Sequence, residues 1–353
     1  MMTTDITPVR AGEELDTGNL AAWLQARLPD LAGNIEIAQF PNGHSNLVYL
    51  IRAGATEYVL RRPPLGPVPP KAHDMAREFR VLDAVNPHFP EAPRVVLLCE
   101  DPAVVGATFF LMERRHGIVL RDAPPPEWNA VPDYPRLVSE AFIDCLVRLH
   151  EVDVAAPKIA ALGKPAGFVE RQVRGWSERW QHAKTEELPA MNRVIHWLQN
   201  HIPASPAPTL VHNDFKLDNV MLAPSANRVE AVLDWEMTTL GDPLADLGLT
   251  LCYWTWACIA SQNDPHPATP VITMSPGWYT RDEFVHRYAL RTGRDVSQLG
   301  YHEVLGIFKL AVILQQIYVR FHRGQTHDER FRAFDRRVRT LVQLADELVN
   351  RNS

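Results

Sequence analysis

Residues 210–222 read LVHNDFKLDNVML, in which several polar side chains stand between apolar flanks. Asp214 follows His212 by two residues, Lys216 follows Asp214 by two, and Asn219 follows Asp214 by five. Polar side chains in a segment that otherwise resembles core are costly unless they are paired or carry out chemistry. The stretch therefore indicates a functional loop set into a buried core.

Two short apolar runs, DNVML and VEAVLDW, flank the turn-rich stretch APSANR just after this loop. The pattern predicts a β-hairpin. A hairpin brings its outer ends together, so we expect Asn219 and Asp234 to lie close to each other. Their amide and carboxylate oxygens are of the kind that Mg²⁺ accepts. With the carboxylate of Asp214 and the cation of Lys216, such a pair indicates phosphoryl transfer.

The composition excludes several classes of protein. The chain has 353 residues, 46% hydrophobic and 22% charged, with a net charge of −6, which gives no electrostatic reason to expect nucleic acid or an anionic membrane as a partner. Its four cysteines match neither a zinc site nor a disulfide framework, and the N-terminal residues lack the apolar run of a signal peptide. We expect a cytoplasmic protein. The most apolar stretch, residues 247–260, is shorter than the roughly 20 residues that span a bilayer and predicts a buried helix.

The pattern of apolar residues changes once along the chain. Residues 1–115 predict an α+β lobe, with an amphipathic helix near 14–28, a β-hairpin in NLVYLIRAGATEYVLRRP, a helix in HDMAREFRVLDAV and a strand in ATFFLMERRHG. Residues 116–353 predict a larger lobe that is mostly helical, including a long final run from 301 to 350. The chain is long enough for one two-lobed domain or two domains.

The loop residues match, in type and spacing, the H-x-D-x-K-x-x-N catalytic loop of protein kinases, and LDWE stands in the place of D-F-G. The combination of HNDFKLDN, VLDWEMTTLGDPLADLG and YVLRRP resembles the aminoglycoside phosphotransferase family. It is most similar to the branch that is fused in some eukaryotes to acyl-CoA dehydrogenases. The resemblance runs from about residue 35 to at least residue 250. It implies a protein-kinase-like two-lobed α+β fold, with a small β-rich nucleotide-binding lobe and a larger helical lobe.

The resemblance also implies roles for individual residues. Asp214 would be the catalytic base or the group that orients the acceptor hydroxyl, and Lys216 would lie near the γ-phosphate. Asn219 and Asp234 would bind Mg²⁺, and ATP would be the phosphoryl donor. The nucleotide-binding residues that it implies are Gly43, Ser45, Asn46, Arg61, Glu78, Met112 and Glu113.

One position departs from the kinase pattern, because YVLR places Arg61 where most kinases have lysine. Arginine keeps the charge and adds a bidentate fork. Glu78 lies on the apolar face of its predicted helix and needs a cation or strong donors there. By resemblance Arg61 is the best candidate, with Arg62 as an open alternative. Glu78 at the exposed edge of the face is the other interpretation.

Several nearby side chains have structural interpretations. The histidine of the loop is expected to hold the loop by hydrogen bonds, and His150 to be a buried, hydrogen-bonded histidine. Asp242 and Asp246 are expected to brace the loop or to cap the following helix. Trp254 and Trp256 are expected to form core or pocket wall.

Two classes of function remain open, an active small-molecule kinase and a nucleotide-binding pseudokinase. The joint presence of Asp214, Lys216, Asn219 and Asp234 favours the enzyme. Only eleven residues separate Asp234 from Asp246, which leaves no room for the activation segment of a protein kinase and favours a small hydroxylated acceptor.

The charge of the helical lobe bears on the acceptor. From 240 to 353 there are 12 acidic residues against 13 Lys and Arg, so no acidic excess is present to hold a polycation. This favours a neutral-to-anionic acceptor over an aminoglycoside or an amino alcohol, which stay as alternatives. The fused relatives suggest a hydroxyacyl-CoA-like molecule. A homo-oligomer is left open.

Overall fold

The computed structural model describes residues 5–28, 31, 34–41, 46–65, 73–121, 123–261, 272–326 and 328–352. The chain divides into two compact units. Unit 1 runs to His116 and includes Ala231–Glu236, and unit 2 comprises Gly117–Glu230 and the residues from Met237 onward. The first break lies next to the predicted boundary after residue 115. The later return to unit 1 was not predicted, and it brings Asp234 into the same unit as the β-rich lobe.

Unit 1 is built on an antiparallel sheet of five strands in the order β1-β2-β3-β5-β4. The predicted hairpin is confirmed, because β2 and β3 pair throughout, with Leu50 opposite Val59. The strands of this sheet are β1 (Glu36–Gln39), β2 (Leu47–Ala53), β3 (Thr56–Arg62), β4 (Val95–Cys99) and β5 (Phe109–Glu113).

Two longer helices and one short helix accompany this sheet: α1 (Thr17–Gln25), α2 (Met75–Val85) and α3 (Pro102–Val105). Asp74 caps α2 by accepting a hydrogen bond from the backbone N–H of Arg77. The helix packs on β4 and β5, where Phe79 meets Phe110 edge-on at 6.2 Å between ring centroids. Burial of one face of α2 confirms the amphipathic pattern and places Glu78 on the inward side.

Unit 2 is mostly helical, as predicted. Its helices are α4 (Tyr134–His150), α5 (Pro157–Ala160), α6 (Phe168–Ala183), α7 (Pro189–Asn200), α8 (Pro243–Leu251), α9 (Ala257–Ser261), α10 (Arg281–Thr292), α11 (Leu299–His322) and α12 (Phe334–Asn352). The core lies between α6, α7, α8, α11 and α12. The predicted final helical run is two helices, because Gly324 adopts a left-handed conformation (φ 68°) just after α11.

Short strands between residues 118 and 241 frame the loop at 212–219. They are β6 (Ile118–Val119), β7 (Thr209–Val211), β8 (Val220–Leu222), β9 (Val229–Val232) and β10 (Thr239–Gly241). Strands β8 and β9 are neighbours in a three-stranded sheet with β6, which confirms the second predicted hairpin. Strands β7 and β10 form a separate antiparallel pair. The loop therefore begins at one strand and ends at another.

The apolar run 247–260 is buried and helical, as predicted, but it is not one regular helix. A π-helical turn, Cys252–Trp256, joins α8 to α9. A different helix, α11, is long and apolar enough to cross a membrane and is the one that meets these criteria among the described residues. Because 67% of its most apolar window is buried inside the protein, α11 serves here as the central core helix of unit 2.

Candidate active site

The loop that follows β7 is fixed by one buried carboxylate from α8. Asp246 accepts hydrogen bonds from the backbone N–H groups of His212 at 2.6 Å and Asn213 at 2.8 Å. His150 also contacts Asp246, with Nε2 at 3.3 Å from Oδ2, and bonds Tyr288 through Nδ1. Burial opposes ionisation of Asp246, yet the hydrogen bond with His150 and the loop N–H groups lower its pKa. Asp246 therefore braces the loop as a carboxylate, and His150 is a hydrogen-bonded buried histidine, as expected.

Asp242 caps the helix that follows it, which is the second role expected for Asp242 and Asp246. Its side chain accepts a hydrogen bond from the N–H of Leu244 and caps α8. Asn213, in the loop itself, has a left-handed backbone conformation (φ 63°) and donates through Nδ2 to the carbonyl of Met237. Non-glycine residues held in this conformation are often found at functional sites. The local structure holds the loop rigidly for the side chains that follow.

Three predicted side chains meet in this loop. The ammonium of Lys216 donates to both carboxylate oxygens of Asp214, at 2.9 and 3.1 Å. Asn219 donates through Nδ2 to the backbone carbonyl of Asp214 at 2.9 Å and to its Oδ2 at 2.8 Å. Although burial opposes charge on Lys216, the Asp214 carboxylate raises the pKa of Lys216, so the ammonium stays charged. Asp214 is thus held in place by two neighbours and remains partly open to solvent.

The hydrogen bonds of Asn219 bear on metal binding. The amide nitrogen of Asn219 donates to Asp214, so the amide oxygen of Asn219 is left as a neutral acceptor for another partner. An amide oxygen of this kind fits a Mg²⁺ ligand. The side chain therefore has the correct chemistry for the role that the sequence predicted.

The π-helical turn adds a side chain that sequence reasoning did not find. The Lys216 ammonium lies 4.9 Å from the centroid of the Tyr253 ring. Burial and the nearby Asp214 carboxylate raise the pKa of the Tyr253 hydroxyl, so the phenol stays protonated. π-helical turns are frequent at functional sites. Tyr253 thus lies against the Asp214–Lys216 pair, where no motif would have identified it.

Of the two tryptophans in the same run, Trp254 is core. Its ring stacks on Phe142 at 5.3 Å, and its Nε1 donates to the carbonyl of Tyr279. Trp256 is partly buried and donates through Nε1 to Glu303 at 3.1 Å.

Unit 1 contains the second cluster of predicted site residues. The Arg61 guanidinium places Nε 2.9 Å from Glu78 and NH2 2.5 Å from Asp234. Glu78 also accepts a hydrogen bond from the backbone N–H of Trp235 at 3.3 Å. Burial raises the pKa of Glu78 to about 7, against the opposing effect of Arg61. The pairing of Glu78 with Arg61 is confirmed, and Arg62 instead donates to the carbonyl of Val105 at 2.7 Å.

Glu236, which was not predicted as a site residue, completes this cluster. Asn46 is buried and donates to Glu236 at 3.4 Å, while its Oδ1 lies 2.9 Å from Nδ1 of His73. Burial and the neighbouring Asp234 raise the pKa of Glu236. The LDWE motif contained the signal for this residue, an acidic side chain two positions after the predicted metal ligand.

Negative charge is concentrated around Asp234. Glu78, Asp234 and Glu236 bring three carboxylates together, and each of the two glutamates has its pKa raised in part by Asp234. Asp234 also has a left-handed backbone conformation (φ 67°). Arg61 already balances part of this charge by pairing with Glu78 and Asp234, and in the part of the chain that the structure describes no three His, Cys, Asp or Glu side chains are arranged to hold a metal ion.

The remaining predicted nucleotide-binding residues have different outcomes. Met112 and Glu113 end β5, where Met112 is buried and Glu113 pairs with Arg115 at 3.0 Å. Gly43 and Ser45 lie outside the described residues.

The sequence of the chain has clear relatives. A family model described as "Phosphotransferase enzyme family" matches residues 36–284. The chain belongs to this phosphotransferase family. It is 33% identical to mouse acyl-CoA dehydrogenase family member 10 over 344 residues and 30% identical to human acyl-CoA dehydrogenase family member 11 over 356 residues. These alignments cover 96% and 99% of the chain but 31% and 45% of the relatives, so the chain spans less than half of their length.

Solved structures in the phosphotransferase family share the fold. A candidate aminoglycoside phosphotransferase from Ralstonia eutropha matches with a TM-score of 0.79 and 29% identity, over 96% of this chain and 99% of that one. The aminoglycoside phosphotransferase APH(4)-Ia, in a ternary complex with AMP-PNP and hygromycin B, matches with a TM-score of 0.58 and 16% identity, over 92% and 98% of the two chains. The predicted kinase-like α+β fold and the predicted resemblance, including its acyl-CoA dehydrogenase branch, are confirmed.

Proposed function

We propose that the chain is an ATP- and Mg²⁺-dependent kinase that transfers the γ-phosphoryl group to a hydroxyl of a small molecule in the cytoplasm. The observation that carries this proposal is the arrangement of Asp214, Lys216 and Asn219 on a loop that Asp246 braces. A binding protein without turnover has no need of a carboxylate held by two neighbours and left open to solvent. This argument disfavours the pseudokinase alternative.

The side chains divide the work of the reaction. Asp214 accepts a hydrogen bond from the acceptor hydroxyl and orients the hydroxyl oxygen for attack. Lys216 stabilises the negative charge that develops on the phosphoryl group. Asn219 and Asp234 would hold Mg²⁺, which supplies charge neutralisation on the phosphate oxygens. Arg61, positioned by Glu78, and the buried Asn46 would contact the nucleotide phosphates. Contributions of Gly43, Ser45, Met112 and Glu113 to nucleotide binding belong to the same proposal.

The acceptor in this proposal is a neutral-to-anionic metabolite such as a hydroxyacyl-CoA. Two observations support it. The C-terminal part of the chain has no acidic excess, and the relatives that match almost the whole chain are named as members of acyl-CoA dehydrogenase families. A polycationic aminoglycoside would need several carboxylates in its binding site.

The roles of the two aspartates can be separated with one pair of variants. Asp214→Asn should lower turnover by about 100-fold or more and leave nucleotide binding nearly intact, because the side chain acts on the acceptor. Asp234→Ala should remove the Mg²⁺-dependent part of nucleotide affinity. The measurements are a phosphoryl-transfer assay against hydroxyacyl-CoAs, amino alcohols and aminoglycosides, and calorimetric titration of ATP with and without Mg²⁺. Full activity of the Asp214 variant, or unchanged Mg²⁺ dependence in the Asp234 variant, would contradict the assignment.

A further inference from the structure

A small cavity in unit 2 is lined in part by the loop that carries Asp214. Lys216, whose ammonium donates to Asp214 at 2.9 Å, forms part of the lining, and residues of α4, α8 and the π-helical turn contribute other walls. The volume of the cavity, about 20 Å³, is a little more than one water-sized group requires. A group bound there would therefore lie next to the proposed position of the acceptor hydroxyl.

The walls that the helices contribute are aromatic. Phe142 and Trp254 are buried and stack on each other at 5.3 Å between ring centroids. Tyr253 adds a third ring to the lining, with its centroid 4.9 Å from the ammonium of Lys216. Small-molecule sites are typically lined by apolar and aromatic side chains with a few polar groups at fixed positions. This cavity has that composition, with the Asp214–Lys216 pair as its polar group.

The buried polar donors of the lining are already used within the protein. The hydroxyl of Thr250 donates to the carbonyl of Phe215 at 3.0 Å, and the hydroxyl of Thr273 donates to the carbonyl of Trp254 at 2.7 Å. The indole Nε1 of Trp254 donates to the carbonyl of Tyr279 at 2.9 Å. A ligand hydroxyl against these walls would lose its hydrogen bonds to water, and these three donors could not replace them.

The charges of the lining belong to the loop. Lys216 and Asp218 are both partly exposed, and Asp218 contributes to the raised pKa of Lys216. The side chains that α4, α8 and the π-helical turn contribute are uncharged. The cavity is therefore charged where it meets the loop and apolar along its helical walls.

We propose that this cavity holds a small apolar group that the acceptor carries beside its phosphorylated hydroxyl, and that Phe142, Tyr253 and Trp254 select for that group. This inference rests on the proposed kinase function, because the position of the acceptor hydroxyl at Asp214 belongs to that proposal. It specifies a feature of the acceptor other than its charge. The carbon next to the hydroxyl-bearing carbon carries no polar group, which excludes sugars and other polyols.

The test compares two groups of equal size. Hydroxyacyl-CoAs with the hydroxyl on carbon 3, 4 or 5 are made in two forms, in which the hydroxyl-bearing carbon ends in an ethyl or a hydroxymethyl group. Phosphate on the internal hydroxyl is measured by fragmentation in a mass spectrometer. The ethyl form should have a kcat/KM at least about 10-fold higher, which corresponds to about 1.4 kcal/mol, because the buried hydroxymethyl group lacks a partner. Equal values, or a preference for the hydroxymethyl form, would overturn the proposal.

Substitution of Tyr253 should change this preference. Tyr253→Gln places an amide donor and acceptor in the wall, so the ratio of the two kcat/KM values should fall at least about 5-fold. Tyr253→Phe keeps the aromatic ring and should keep the ratio within about 2-fold of the parent value. Tyr318→Gln is the matched control, because Tyr318 is also partly buried on a helix but does not line the cavity. A general loss of activity cancels within each ratio, so an unchanged ratio in Tyr253→Gln would contradict the proposal.

Binding without turnover separates this inference from the kinase function. Measured without ATP, the increase in Tm of the parent protein should be larger with the ethyl form than with the hydroxymethyl form. That difference without phosphorylation of any compound would refute the kinase function alone. Phosphorylation with no preference between the two forms would refute this inference alone, and absence of both binding and phosphorylation would refute both.

Discussion

Arg61 contacts two carboxylates, Glu78 and Asp234, through two different nitrogens of its guanidinium group. Its Nε faces Glu78 and its NH2 faces Asp234, so a single planar group joins α2 to the segment that carries the proposed metal ligand. A lysine ammonium can approach both carboxylates only by lying between them, whereas the guanidinium presents separate donors to each. The substitution at this position therefore preserves the charge and adds a defined geometry.

Removal of one member of this buried pair should be costly. Arg61→Met should lower the free energy of unfolding by about 3 kcal/mol, because it leaves Glu78 buried without its cation. The double variant Arg61→Met with Glu78→Met should recover most of that loss, since both charges are then replaced by apolar groups. The affinity for ATP should be lower than that of the parent protein in both variants. Urea unfolding and calorimetric titration with ATP measure the two effects, and recovery of nucleotide binding in the double variant would exclude a role for Arg61 in holding the phosphates.

At the scale of the elements, the contact between α8 and α11 depends on two glycines. A Cβ on Gly248 would overlap the backbone carbonyl of His302, and a Cβ on Gly306 would lie 2.8 Å from the carbonyl oxygen of Gly248. The two helix backbones therefore touch almost directly. This close approach sets the position of Asp246, two residues before Gly248, and with it the position of the 212–219 loop that Asp246 braces.

A methyl group at this crossing should separate the helices. Gly248→Ala should lower the free energy of unfolding by about 2 kcal/mol or more, because backbone atoms cannot move aside as a flexible side chain can. Gly175→Ala on α6 is the matched control. A Cβ there would meet only the end of the Arg179 side chain at 3.6 Å, so alanine should stabilise the helix by up to about 1 kcal/mol. Equal effects of the two substitutions in thermal unfolding would show that the helices are not in backbone contact.

At the scale of the whole molecule, the balance of charge bears on the proposed acceptor. The structural relatives include an aminoglycoside phosphotransferase, yet its identity to this chain is 16%, a level that establishes the fold and not the substrate. The C-terminal part of this chain balances 12 acidic residues against 13 basic ones. A polycation gains little long-range attraction from such a surface.

Expression of the chain in a susceptible bacterium should therefore give no meaningful resistance to kanamycin-like compounds. The measurement is the minimum inhibitory concentration with the parent and with the Asp214→Asn variant. Turnover of an aminoglycoside by purified protein at about 10⁴ M⁻¹s⁻¹ or better would contradict the expectation and restore the polycation alternative.

The sequence by itself determined the fold class and predicted which loop carries the proposed site residues. Spacing within ten residues brings Asp214, Lys216 and Asn219 together, because side chains so close in sequence share one short loop. Alternation along β2 and β3 predicted the first hairpin, and the apolar face of α2 placed Glu78 where it needs a cation or strong hydrogen-bond donors. These are local properties, so periodicity and residue type were sufficient to predict them.

Only the tertiary structure decided which distant groups act on that loop. The sequence was equally compatible with Asp246 as a cap of α8. Asp246 bonds the loop N–H groups instead, because the α8–α11 contact holds α8 in a position from which its side chain reaches them. Tyr253 reaches the Asp214–Lys216 pair through a π-helical turn that no periodicity predicts. Long-range packing sets these positions, because each is determined by contacts between elements that are far apart in the chain.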